Sequence, residues 1–394
     1  MSAFALTDQQ QGYLRQVHEI AERELLPLTA EGGSAAEGVL NRPLLRALGS
    51  HGLLARLFGP DGRSAAAMEL CLLREALAAV STEAETALAL QALGSYPFVL
   101  FGTAEQAGRY RDGVIDGSVV ASFALSESEA GSDAAALQLR AEPDGDGWRL
   151  FGEKTWISNA PDADVYAVFA RTTPATRARG ITAFMVAGQA PGLSGERLEM
   201  LSPHAIGRLV FDGVRVERAD VLGEVDAGFK IAMRTLDVLR PSVGAFAVGM
   251  AQAALDAAIE HTVGRQAFGG VLSDQQAVSH LLAEMATRVE ASRLLVYAAA
   301  AANDRGAPPA QLTRQAAMAK LFATESAQFV VDAAVQLHGA RALQRGHLLE
   351  RLYRDVRAPR IYEGASEVQR TIIGRSLVQA ATGREAAKSR RADP

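Results

Sequence analysis

The sequence predicts an α+β fold that is mostly helical. An N-terminal helical domain spans 1–118, a middle antiparallel β domain 119–225 and a C-terminal four-helix bundle 226–383, ahead of a charged, disordered tail at 384–394. Three observations predict this order. Apolar residues fall at helical spacing through both ends of the chain and give way to short β-branched and aromatic runs in the middle. The composition, 48% apolar but only 6% aromatic over 394 residues, favours close-packed helices rich in Ala and Leu. Helix starts carry a Ser or Thr followed three residues later by Gln, at Thr7/Gln10, Thr103/Gln106, Ser273/Gln276 and Ser366/Gln369. In that pattern hydroxyl and amide satisfy free backbone N–H groups reciprocally.

In the first segment, "EGGS" and "FGPDGRS" break a series of helices. Cys71 lies in "MELCLLREAL" at helical spacing, which predicts a buried core thiol; a lone cysteine rules out an internal disulfide. The middle segment contains "WRLFGEKTWIS", "DVYAVFART", "ITAFMVAG" and "RLVFDGVRV", punctuated by Gly, Pro and Asp, as expected of strands and turns. The third segment holds two long helical runs, "QQAVSHLLAEMATRVEASRLLVYAAAAAN" and "PAQLTRQAAMAKLFATESAQFVVDAAVQLHG". The second ends at Gly339, a natural C-cap.

Several function classes are disfavoured. A net charge of −5 opposes a general nucleic-acid binder, and the one basic cluster, "GREAAKSRRADP", reads as a solvated end. The start lacks the basic-then-apolar order of a signal peptide, and no apolar run approaches the ~18 residues of a membrane span, so a cytoplasmic protein with no membrane span is expected. There is no G-x-G-x-x-G, no complete P-loop around "GEKT" and no G-x-S-x-G. The seven histidines are scattered without metal-ligand spacing, and no metal is expected.

Five stretches carry chemistry, and each also has a plainer reading. "FALSESEAGSD", 123–133, offers a small-residue turn whose N–H groups and hydroxyls can meet a phosphate or a polar ring edge; alone it also reads as a linker. "GEKTWISNA", 152–160, sets Trp156 in a strand-like run, either as core or as a flat wall for a planar cofactor. "GRQAFGGVLSDQQ", 264–276, places Arg265 and Phe268 before a helix start, a phosphate grip or an ordinary loop. In "QLHGARAL", 336–343, small residues permit close approach of a nucleotide, or simply cap a helix. "RIYEGASEVQRTIIGRS", 360–376, holds Glu363 at the mouth of a helix; it is either a base or a residue favouring the helix dipole, a role that Glu367 already fills.

Together and in this order, these motifs resemble the acyl-CoA dehydrogenase family of flavoproteins over about residues 4–382. "SESEAGSD" is similar to T-E-P-x-A-G-S-D, "GEKTWISN" to G-x-K-x-W-I-T-N, "RQAFG" to R-x-x-F-G, "QLHGA" to Q-x-x-G-G, and "IYEGASEVQR" to I-Y-E-G-T-S-x-I-Q-R. The resemblance implies FAD as cofactor. It assigns Trp156, Ile157 and Ser158 to one side of the isoalloxazine, and Phe123, Leu125, Ser126, Gly131 and Ser132 to its other edge. Arg265, Phe268, Gln276, Gln336, Gly339 and Ala340 are similar to residues that hold the pyrophosphate and adenine, partly from a neighbouring subunit, which implies a homo-oligomer, tetramer or dimer. Ser366 and Glu367 complete the cofactor set; Ser132, Asp237, Arg240, Gly364 and Arg375 are assigned to substrate.

The implied reaction takes a saturated acyl thioester to its α,β-enoyl form, with Glu363 abstracting the α-proton and flavin N5 accepting the β-hydride. Burial is expected to tune this carboxyl toward a pKa of roughly 6–7. The backbone N–H of Glu363 and a flavin hydroxyl are implied as donors to the developing enolate. Some branches carry the base just before an Arg in the first bundle helix; here that position is Leu239, which cannot take a proton. The substrate is an acyl-CoA or, as in biosynthetic relatives, an acyl group on an acyl carrier protein, an alternative supported by the departure from the family pattern at 197–211. Electron-transfer flavoprotein or oxygen is the acceptor; a flavin oxidase or hydroxylase on the same fold is the alternative from another class.

Overall fold

The computed structural model describes the chain except Met1–Ala5, Glu31, Ser34, Ala35, Ala175, Pro203, Asp393 and Pro394, with side chains described to Thr382. Part of the "EGGS" break, the first five residues and the side chains of the basic end therefore lie outside the described residues. The described residues form two compact units, Thr7–Leu239 and the part of the chain from Arg240 onward.

In the first unit, helices α1 (Asp8–Ile20), α2 (Arg42–Ser50), α3 (Ala67–Ala78), α4 (Thr82–Phe101) and α5 (Ala104–Ile115) precede a sheet. Thr7/Gln10 and Thr103/Gln106 form the expected capping boxes on α1 and α5. Cys71 is fully buried on α3. The strands are β1 (Ala121–Ala124), β2 (Arg140–Asp144), β3 (Gly147–Ser158), β4 (Val165–Arg171), β5 (Ile181–Ala187), β6 (Leu193–Arg197), β7 (Ile206–Val216) and β8 (Val221–Leu222). They form one eight-stranded sheet in the order β6-β7-β3-β2-β4-β5-β8, with β1 on β4. The ladders are antiparallel apart from β1 against β4 and a single β2–β4 pair, which run parallel. One apolar cluster joins α-helical Leu44, Leu77 and Leu88 to Leu150, Val168 and Phe184 of the sheet.

Helix α6 (Gly228–Gly264) contains the division between the units. The second unit continues with a two-stranded turn, β9 (Gln266–Ala267) and β10 (Gly270–Val271), then α7 (Gln276–Asp304), α8 (Pro309–His338), α9 (Leu348–Asp355) and α10 (Ser366–Ala392). Alanines 316, 317, 319, 323 and 327 are buried on α8, and a Cβ at Gly244 would meet Val296 and Ala323, so small side chains let α6, α7 and α8 approach closely. α8 ends as expected at Gly339, which has φ 64°. α10 carries helix into the charged tail, where Ala, Glu, Lys and Arg are strong helix formers.

Three expectations need correction. Ser273 does not cap α7: it sits in a 3-10 turn, and Gln275 precedes the helix without a side-chain cap. Ser366 opens α10, but its hydroxyl donates to Glu325 instead. One helix, Gly228–Gly264, is long and apolar enough to cross a membrane by length and composition; 78% of its apolar window is buried in the protein, as in a core helix.

Candidate active site

Two corners gather the residues singled out by sequence, one in each unit. In the first unit, strand β3 pairs antiparallel with β7, and the register shifts twice, between Leu150 and Phe151 and again between Lys154 and Ile157. Thr155 and Trp156 fall in the second shift. Trp156 takes a left-handed φ of 56°, uncommon for a bulky residue, and its side chain is 47% exposed. The Thr155 N–H donates to the Ser126 carbonyl at 3.1 Å, tying the irregularity to the small-residue turn after β1.

Beneath this junction lies Lys154, fully buried. Its ammonium donates to the Leu125 carbonyl and to Glu127 Oε1, both at 2.8 Å. Glu127 also accepts from the N–H groups of Gln138 at 2.6 Å and Leu139 at 2.9 Å. Burial pulls the Lys154 pKa down to about 8, against the opposing pull of Glu127. Around the corner, Leu125 and Ile157 are buried, Ser126 and Ser158 half-buried, and Gly131 and Ser132 exposed. Phe123 packs on Phe169 at 4.9 Å, and the Ser158 carbonyl accepts from the Ser122 hydroxyl at 2.6 Å. Asp237 is half-buried on α6.

In the second unit, a 3-10 turn at Ala358–Arg360 delivers the chain to Glu363, at φ 50°, and Gly364, at φ 96°. Two successive left-handed residues make a sharp corner, and only the second is a glycine. Lys320, fully buried on α8, donates to the carbonyls on either side of Glu363, to Tyr362 at 3.2 Å and Gly364 at 2.7 Å. The Gln369 amide donates to the same Gly364 carbonyl at 2.9 Å. Burial pulls the Lys320 pKa down to about 8; Glu363 is the strongest charge opposing that shift, while Arg240 adds to it. Arg240 is buried, Arg375 exposed. Ser366 is buried with its hydroxyl 2.5 Å from Glu325, which also pairs with Arg360 at 2.8 Å; Arg360, Arg370 and that hydroxyl outweigh burial and hold the Glu325 carboxyl low. Glu367 is exposed in the first turn of α10.

The phosphate-type residues lie elsewhere in this unit. Arg265 stands before β9, and Phe268, at φ 53° between β9 and β10, is 90% exposed. Gln276, Gln336 and Ala340 are exposed, and a Cβ at Gly339 would meet nothing within 4 Å. The fold also brings together histidines that the sequence scatters: His261 stacks on His338 at 4.1 Å, and His338 meets His347 at 5.5 Å. Burial, then the neighbouring His338, holds His261 and His347 low. No group of potential metal ligands occurs among the described residues.

Sequence reading missed Lys154, Glu127, Lys320, Gln369 and Glu325. The available signal was a lone Lys in the apolar run "AAMAKLFATES" and another in "GEKTWIS".

Each unit by itself offers groups suited to part of a flavin nucleotide: an exposed indole next to half-buried Ser158 in one, and exposed Arg265, Gln276 and Gln336, with open space at Gly339, in the other. The sequence matches the acyl-CoA dehydrogenase N-terminal domain over 7–118, the middle domain over 122–214 and the C-terminal domain over 226–378. It is 38% identical over 381 residues to the probable acyl-CoA dehydrogenase FadE25 of Mycobacterium tuberculosis, covering 95% of this chain and 97% of that protein. Butyryl-CoA dehydrogenase from Megasphaera elsdenii has a similar structure, with a TM-score of 0.87 and 34% identity, covering 95% of this chain and 99% of that one. The FAD complex of PigA matches with a TM-score of 0.88 and 26% identity, over 95% and 98% of the two chains.

Proposed function

This chain belongs to the acyl-CoA dehydrogenase family of oxidoreductases acting on CH–CH groups, and on that premise we propose that it binds FAD and desaturates an acyl-CoA thioester between its α- and β-carbons, with Glu363 as the base. The carrying observation is the corner at Glu363, a carboxylate on a left-handed residue fixed from both flanks by a buried ammonium.

An α-proton next to a thioester is too weakly acidic to leave unaided, so the protein must both take it and stabilise the enolate that forms. Glu363 takes it. The Glu363 N–H donates to the thioester oxygen, and Gly364, having no side chain, leaves room for that approach. By the family resemblance, Arg240 and Asp237 would serve the acyl group and Arg375 the carrier end. When bound, FAD supplies the two-electron acceptor that no side chain can provide. Trp156 offers it a flat wall, and Ser126 and Ser158 donate to its edges. Arg265, Gln276 and Gln336 hold its phosphates and adenine. Phe268, 90% exposed on this chain, supports a role against a second copy in a homo-oligomer.

The test is anaerobic mixing of the purified yellow protein with saturated acyl-CoA. Loss of the flavin absorbance with formation of one 2-enoyl-CoA per flavin is expected. A protein that takes up no FAD, or stays yellow with acyl-CoAs and carrier-linked acyl groups alike, overturns the reading.

A further inference from the structure

We propose that Lys320 is a positioning residue for the base: its ammonium clamps the peptides on both sides of Glu363 and, by its charge, sets the pH at which that carboxyl becomes able to accept a proton. The proposal rests on the reading of Glu363 as the base.

The geometry has two parts. A residue at φ 50° followed by one at φ 96° is a costly corner that persists only when its surroundings hold it. Here the holding groups are the Lys320 ammonium, on the carbonyls of residues 362 and 364, and the Gln369 amide, on the carbonyl of 364. These carbonyls bracket the peptide N–H of Glu363, so the clamp also fixes the direction of the donor offered to the enolate.

The second part is charge. A fully buried lysine is rare unless something compensates it. The charged groups facing Lys320 are Glu363, Glu325 and Glu367, which favour its protonation, and Arg240, which opposes it. Glu325 is already engaged by Arg360, Ser366 and Arg370. Glu367 is exposed, where solvent weakens its field. Among these carboxylates, Glu363 acts most strongly on the lysine. An ammonium held beside a carboxylate favours its charged form, which is the sense in which Lys320 acts on its neighbour.

The two parts separate experimentally. Lys320→Met removes both charge and clamp. Gln369→Leu removes one clamping donor and no charge. In the FAD-loaded enzyme, the protonation of Glu363 is read without turnover, from its carboxyl infrared band, assigned by its loss in Glu363→Gln. The acid limb of the single-turnover rate is read in parallel. Lys320→Met is expected to move the midpoint up by about one pH unit or more, the shift typical of losing one nearby opposite charge. Gln369→Leu is expected to slow turnover with the midpoint in place. If Lys320→Met does not fold, Lys320→Arg carries the test: retained charge should keep the midpoint within a few tenths of a unit while the altered donors slow turnover. An unmoved midpoint in Lys320→Met, or a shift of about a unit in Lys320→Arg, overturns the proposal. Undiminished turnover in Glu363→Gln would instead overturn the choice of base, and the infrared titration would still report whether Lys320 governs that carboxyl.

Discussion

The corners at Trp156 and Glu363 solve one structural problem in two ways. Each displays a bulky or charged residue at a left-handed φ, 56° and 50°, and each is underpinned by a fully buried lysine held near a pKa of about 8. Lys154 meets a carboxylate directly, Glu127 at 2.8 Å, and that carboxylate in turn binds two backbone N–H groups. Its charge is spent locally and the result is a rigid strut between two loops. Lys320 meets two carbonyls, and the carboxylate acting on it most strongly is Glu363 itself. The difference teaches that a buried cation can be compensated in two ways, by direct contact with a carboxylate in one place and by carbonyls within a carboxylate's field in another.

The largest effect expected from breaking this comparison lies on the scaffold side. Glu127→Ala leaves the Lys154 cation buried without its partner and should destabilise the protein by about 3–5 kcal/mol in urea unfolding. Lys320→Met removes an ammonium whose hydrogen bonds go to carbonyls rather than to a carboxylate, and should cost less stability than that. Equal losses would erase the distinction between the two lysines.

Gly364→Ala comes next. Its Cβ would run into the Gln369 amide at a φ that L-residues rarely adopt, so a cost of about 1–3 kcal/mol is expected, together with slower turnover. Full activity and stability would mean that the corner is not held as described.

Both lysines also make a pH prediction. Their folded pKa values near 8 lie below the ordinary 10.5, so between those values the unfolded chain binds more protons. The associated stability is fully present above about 10.5 and is lost as pH falls through about 8. Tyr13, Tyr96 and Tyr166, held above their usual range by burial, act in the opposite sense above about pH 10. The wild-type urea midpoint, measured against that of Lys320→Met, should therefore gain between pH 8 and 10. A flat difference would show that Lys320 titrates normally.

The smallest effect on the chain itself is expected for Phe268→Ala. An exposed side chain should change unfolding by less than ~0.5 kcal/mol, yet FAD should be lost more readily in gel filtration. Unchanged FAD retention would remove Phe268 from the cofactor set.

Much of this was legible in the sequence because the signals were local. Hydrophobic period marked the helices and strands, and the hydroxyl–amide pattern marked the starts of α1 and α5. The same pattern misled at Ser366, whose hydroxyl is drawn away by Glu325, 41 residues distant. Glu363 and Trp156 stood out inside short motifs, whereas their supporting lysines did not. A lysine in a helical run ordinarily reads as part of a solvated face. Lys320 is buried because its partners are carbonyls 42 and 44 residues further on, a pairing that spacing cannot reveal. Lys154 is likewise compensated across 27 residues. The histidine trio is a third case, assembled from α6, α8 and the start of α9.

The most direct measurement is the rate of anaerobic flavin bleaching by saturated acyl-CoA in Glu363→Gln, with FAD content confirmed by absorbance. Loss of a positioned general base should slow it by about 10²–10⁴-fold while the cofactor stays bound. Bleaching at the wild-type rate in the FAD-loaded variant would contradict the assignment of Glu363 as the group that takes the α-proton.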